Sequence, residues 1–145
     1  QFKYFKTNIN GITFACRSLI GQIINYGPEP VPIYSKFYLG GQQSLRGWLN
    51  PEDYNNVNNN YNNNSIVLFN IELRKIIYRN FGLEVFYDQG RLFNDYITLT
   101  NKDYDWNIGA GIYYLSPIGP IRIDFGFPYA NINNPKILVS FGYMF

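Results

Sequence analysis

The chain has 145 residues, 19% of them aromatic and 15% charged, with a formal net charge of +2, a single cysteine and no histidine. One domain is the expected size. The weak charge gives no electrostatic footprint for nucleic acid, Cys16 alone cannot form an internal disulfide, and the missing histidines exclude Ser-His or Cys-His catalysis and the usual zinc sites. No run of about 18 apolar residues marks a transmembrane helix, and no signal-peptide pattern starts at Gln1.

The dominant signal is alternation with a period of two, in segments rich in Ile, Val, Phe and Tyr. Residues 2–8 read as a strand. In residues 12–20 the pattern is weaker, with Thr13, Ala15, Arg17 and Leu19 opposite Ile12, Phe14 and Cys16. A long segment, residues 25–64, follows without alternation. It ends in a tract, residues 55–64, that holds eight asparagines; asparagine favours turns, so a mobile surface loop is expected there. Strands resume at 65–77, where Val67, Phe69, Ile71 and Leu73 alternate with Asn70, Glu72 and Arg74. In residues 81–88, Phe81, Leu83, Val85 and Tyr87 oppose Gly82, Glu84 and Asp88, and Phe86 breaks the polar face. In 106–115, Trp106, Ile108, Ala110, Ile112 and Tyr114 oppose Asn107, Gly109, Gly111 and Tyr113. In 120–128, apolar residues alternate with Arg122, Asp124 and Gly126. The last strand is predicted over 136–145, with Ile137, Val139, Phe141, Tyr143 and Phe145 on one face and Gly142 on the other.

A soluble sandwich alternates too. Two features favour an antiparallel transmembrane β-barrel. The strands are about ten residues long, enough to cross a bilayer at a tilt. One face is apolar and aromatic while the other is charged and glycine-rich, as lipid outside and a wet lumen inside require. Connections alternate between short (8–11, 78–80, 116–120) and longer (25–64, 91–105, 129–135), the outer-membrane barrel pattern. Seven strands are visible. Even strand counts predict an eighth before Gln1, or one supplied otherwise.

Residues 37–48, FYLGGQQSLRGW, stand out within the long segment. They combine an aromatic lead (Phe37, Tyr38), Gly40-Gly41, and a tetrad Leu45-Arg46-Gly47-Trp48. Further pieces follow in order: Asn70-Ile71-Glu72-Leu73, Phe86-Tyr87-Asp88-Gln89-Gly90, Gly109-Ala110-Gly111-Ile112, residues 116–121 (SPIGPI), and the terminal Phe145. Together they resemble the outer-membrane assembly-factor superfamily, which includes BamA, TamA, Sam-type and Toc-type barrels. The resemblance covers residue 37 to the end. It implies the C-terminal half of a sixteen-stranded barrel, without the periplasmic polypeptide-binding modules that family members usually carry.

The resemblance also implies that the loop folds into the lumen and that Arg46 meets Glu72 and Asp88. Alternation supports this, since both acids fall on the lumenal set. The last strand, with Phe141, Gly142, Tyr143 and Phe145, would form one side of a lateral seam. Trp106, Tyr114, Tyr143 and Phe145 are candidates for interfacial girdles. Arg17, Arg74, Arg122 and Asp124 are expected to line the lumen and neutralise one another.

A closed eight-stranded barrel is filled by its own side chains and has no room for this loop. The chain is then half of a longer polypeptide, or two copies share one barrel, or a small barrel keeps its loop outside; the Arg46, Glu72 and Asp88 set favours a dimer or larger assembly. The implied function is insertion or translocation of polypeptides at a Gram-negative-type outer membrane, with no covalent chemistry, cofactor or metal. Outer-membrane protein clients and the lipid bilayer are the implied partners. The alternatives are a passive pore or structural barrel, and an anchor barrel for an upstream passenger or lipase domain.

Overall fold

The computed structural model describes residues 1–58, 63–94, 97 and 104–145. Seven antiparallel strands form one sheet in strict chain order. They are β1 (Phe2–Thr7), β2 (Ile12–Gln22), β3 (Ser65–Tyr78), β4 (Phe81–Phe93), β5 (Asp105–Ser116), β6 (Gly119–Pro128) and β7 (Lys136–Phe141). The sheet is not closed: β1 and β7 are its two edges.

All seven predicted strands are present. β4 runs on to Phe93, because Gly90 and Leu92 continue the buried parity beyond the predicted end at Asp88. This shortens the predicted 91–105 connection, most of which lies outside the described residues, as does part of the Asn-rich tract. β7 stops at Phe141, four residues earlier than predicted. Gly142 has φ +87°, in the left-handed region that glycine favours, and turns the chain away.

The long segment holds an unpredicted helix, α1 (Pro51–Asn58). Its start obeys capping rules. Asn50 accepts the Asp53 amide at 2.8 Å, proline occupies the first helical position, and Glu52 and Asp53 sit in the first turn.

Alternation sorts the two faces. Asn70, Glu72, Arg74, Glu84, Asp88, Asn107, Arg122 and Asp124 are buried on the concave side, while Leu73, Leu83, Val85, Ile108, Ile112 and Phe125 are exposed on the convex side. Aromatic contacts mark both ends of the convex face: Trp106 stacks with Tyr87 and Tyr129 at one end, and Phe81 meets Tyr114 at the other. Residues 37–54 lie on the concave side. Their Leu39, Leu45, Trp48 and Tyr54 build the apolar core with Ile66, Leu68 and Leu92. Burying four such side chains contributes about 1.5–3 kcal/mol each, whereas Tyr38 of the aromatic lead stays exposed.

Candidate functional site: a loop locked into the lumen

The register sets the site. Across the sheet, Ala15, Glu72, Phe86, Gly109 and Gly126 face one another on one lumenal rung. Arg17, Asn70, Asp88, Asn107 and Pro128 form the next rung; Arg74, Glu84, Gly111 and Asp124 form the one on the other side. The central rung has small residues on β5 and β6, and so leaves room above the sheet. The loop tip occupies that room. A Cβ on Gly126 would overlap the Arg46 carbonyl, and a Cβ on Gly47 would come 2.7 Å from Asn107 Cβ.

The tip is a tight closed loop. Gly41 N–H donates to the Trp48 carbonyl at 2.8 Å, and Ser44 N–H to the Gly41 carbonyl at 3.1 Å. Gly40 and Gly41 have φ of +102° and +92°, conformations that side-chain-bearing residues rarely adopt. The barrel grips the tip's backbone as well. Asn70 Nδ2 donates to the Ser44 carbonyl at 2.8 Å and Arg17 Nη2 to the Gln43 carbonyl at 2.6 Å.

Arg46 is wholly buried. Its Nε and Nη2 bind the two oxygens of Asp88 at 2.9 and 2.8 Å, a bidentate pair. Its Nη1 donates to Glu72 Oε1 at 2.6 Å and lies 3.4 Å from Glu84 Oε1. Burial alone would lower the Arg46 pKa; Asp88, by charge and hydrogen bond, then Glu72 and Glu84 reverse this and raise it above its ordinary value. Asp88 is itself held by Asn70 Nδ2 at 2.8 Å and Asn107 Nδ2 at 2.9 Å. Glu72 also pairs with Arg74, and Arg122 bridges Glu84 at 2.5 Å and Asp124 at 2.9 Å. Three arginines and four carboxylates thus share one buried cluster. Arg17 stands apart from the expected mutual neutralisation: it bonds the Asn70 side-chain oxygen at 2.8 and 3.0 Å.

Phe86, the residue that breaks the polar face of β4, lies under the guanidinium, with Arg46 Cζ 3.5 Å from its ring centroid. Gly109 beside it has no side chain to displace the ring. Such a desolvated cation–π contact contributes about 2 kcal/mol. Replacing Phe86 with leucine keeps the volume nearly unchanged and removes the ring. The expected result is a loss of about 1–2 kcal/mol, measured as a shift in the denaturation midpoint, with the loop more readily cleaved by protease.

The structure thus brings Gly40, Gly41, Leu45, Arg46, Gly47 and Trp48 together with Glu72 and Asp88. Sequence reasoning missed Glu84 and Phe86 as partners. Glu84 carried a usable signal, since it shares the lumenal parity and pairs with Arg74 across β3 and β4. The seam residues divide. Phe141 stays on the convex face of β7, whereas Tyr143 and Phe145 leave both that face and the expected girdle. Past Gly142 the chain turns inward, and guanidinium groups attract the ring faces: Arg74 Cζ lies 4.4 Å from the Tyr143 ring and Arg17 Cζ 5.2 Å from that of Phe145. Phe145 also meets Phe5 on β1. Among the described residues no group of acidic, cysteine or histidine side chains is arranged to hold a metal ion.

The profile of the Omp85 superfamily domain matches residues 1–143. The chain belongs to the Omp85 superfamily. Its place is the outer membrane, as an Omp85 β-barrel sequence. One curated relative is the outer membrane protein assembly factor BamA of Nitratidesulfovibrio vulgaris, 24% identical over 120 residues, which are 74% of this chain and 14% of that protein. Among solved structures, BamA from Haemophilus ducreyi lacking POTRA domains 1–3 superposes with a TM-score of 0.70 at 20% identity, covering 94% of this chain and 32% of that one. The latter likeness concerns the fold: the Omp85 sheet here corresponds to part of a BamA barrel. The chain spans about a seventh of the length of this curated relative.

Proposed function

We propose that this chain is barrel wall and folded-in loop of an assembly factor, which inserts or translocates polypeptides at the outer membrane without covalent chemistry. The observation that carries the reading is the loop: a twelve-residue motif, residues 37–48, is seated on the polar face of the sheet by a buried arginine with bonds to β3 and β4. Membership of the Omp85 superfamily and the assembly-factor name of the relative in Nitratidesulfovibrio vulgaris support the same reading.

In lipid, unpaired strand edges cost several kcal/mol per unsatisfied group. The open edges of β1 and β7 therefore call for more strands, from a second copy of the chain or from further chain. Native mass spectrometry of the full-length protein in mild detergent separates the two: a dimer supports a shared barrel, and a monomer supports closure within one polypeptide.

The function is tested by reconstituting the full-length protein in liposomes and adding an unfolded eight-stranded outer-membrane barrel. Faster insertion than in protein-free liposomes is expected, with Arg46→Met slower than wild type. Steady ion conductance with no acceleration would instead make it a pore.

A further inference from the structure

The folded-in loop is attached at two levels. Arg46 holds the tip. Eight residues later, Tyr54 on α1 is 1% exposed, and its hydroxyl donates to Asp105 Oδ2 at 2.5 Å. Asp105 is the first residue of β5 and is also buried. The Trp48 and Tyr54 rings meet edge to face, with centroids 5.4 Å apart. Burying a hydroxyl and a carboxylate is costly unless they are paired. The Tyr54–Asp105 bond uses none of the atoms of the Arg46 cluster.

We propose that Tyr54 and Asp105 form an outer latch, a positioning pair that holds α1 over the start of β5 independently of the Arg46 lock. Burial, reinforced by the Asp105 carboxylate, raises the Tyr54 pKa well above its ordinary value, so the hydroxyl stays a donor. The latch also sets a second relation. Asp53, the preceding residue, lies 3.4 Å from Lys136 Nζ at the start of edge strand β7. Between the loop and that strand runs a groove of about 380 Å³, lined by Gly40, Gln43, Leu49 and Pro51 of the loop and by the stretch Ile137, Leu138 and Val139 of the edge strand. Pro51 begins α1. The latch therefore fixes one wall of the groove beside the free edge of the sheet. The partly exposed Asp53–Lys136 pair adds little by itself; the buried Tyr54–Asp105 bond is the strong contact. The proposal stands on this geometry and does not require the assembly reading.

Amide hydrogen exchange of the full-length protein in lipid nanodiscs tests it. Tyr54→Phe removes one oxygen and leaves the ring in place. Amides of residues 49–56 are expected to exchange roughly tenfold faster, while those of residues 41–47, β3 and β4 keep their wild-type rates. Asp105→Asn should act in the same segment, and the double variant should add little to either single one. Arg46→Lys should do the reverse, accelerating 41–47 first, and its effect should multiply with that of Tyr54→Phe. The latch is overturned if Tyr54→Phe leaves residues 49–56 unchanged, or if it accelerates 41–47 equally, which would mean that loop and helix release as one unit. If Asp105→Asn does not fold, Tyr54→Phe alone decides.

Discussion

Arg46→Met is expected to release the loop tip from the lumen and to cost about 3–5 kcal/mol, the usual penalty for breaking a buried ion pair by removing one partner. The size follows from what is left behind. Glu72, Glu84, Asp88 and Asp124 are all buried; Arg74 and Arg122 would remain paired with Glu72, Glu84 and Asp124, while Asp88 would keep the neutral donors Asn70 and Asn107. Asp88 would lose both guanidinium donors, Arg46 Nε and Nη2, and with the tip lifted the backbone N–H as well. Lysine should fall between wild type and methionine, because a single ammonium cannot make the bidentate pair or lie flat on Phe86. Adding Asp88→Asn to Arg46→Met should recover part of the loss, since it removes one uncompensated charge. The measurement is the denaturation midpoint in detergent, together with protease cleavage within residues 37–50. Equal midpoints for wild type and Arg46→Met would show that the cluster carries no net stability.

The second large effect is expected at Gly126, a residue with no chemistry of its own. Alanine there places a methyl group on the Arg46 carbonyl and 2.9 Å from the Gly47 amide nitrogen. The contact is with backbone on the loop side and strand on the other, so neither can swing aside as a long side chain would. Overpacking of this kind costs about 1–3 kcal/mol, and here the cheaper escape is for the tip to lift. Gly126→Ala should therefore mimic Arg46→Met in protease sensitivity while leaving every charge in place. Combining the two should add little, because a loop already out of its seat no longer feels the methyl group. A fully additive double variant would refute a shared seat.

The strands were legible in the sequence because a sheet with lipid on one side and a polar lumen on the other enforces strict alternation. The meeting of Arg46 with Glu72 and Asp88 was implied by the family resemblance, and parity agreed with it by putting both acids on the lumenal set. Phe86 was visible only as an irregularity. Its role depends on Gly109 and Gly126 lying beside it in the register, and strand register is not written in any one segment. Glu84 was legible by the same parity as Asp88, and was overlooked because the resemblance pointed to Glu72 and Asp88 alone. The helix α1 was overlooked although Asn50-Pro51-Glu52-Asp53 is a capping pattern; the asparagine-rich stretch that follows masked it. The inward turn of Tyr143 and Phe145 could not be foreseen from alternation, which predicts that a strand continues until something stops it. Gly142 and the lumenal arginines do so.

The Arg46 cluster also bears on the order of folding. Its acids lie 26, 38, 42 and 78 residues away along the chain, on β3, β4 and β6. None of Arg46's own ion pairs is local, although Glu72–Arg74 and Arg122–Asp124 within the cluster each join residues close in sequence. Long-range contacts such as those of Arg46 are rewarded only after the entropy of closing the intervening chain has been met. The guanidinium's seat, its aromatic floor and its glycine gap come into being with the sheet. The loop tip therefore docks late, and a seated Arg46 reports that the wall behind it has already been built in register.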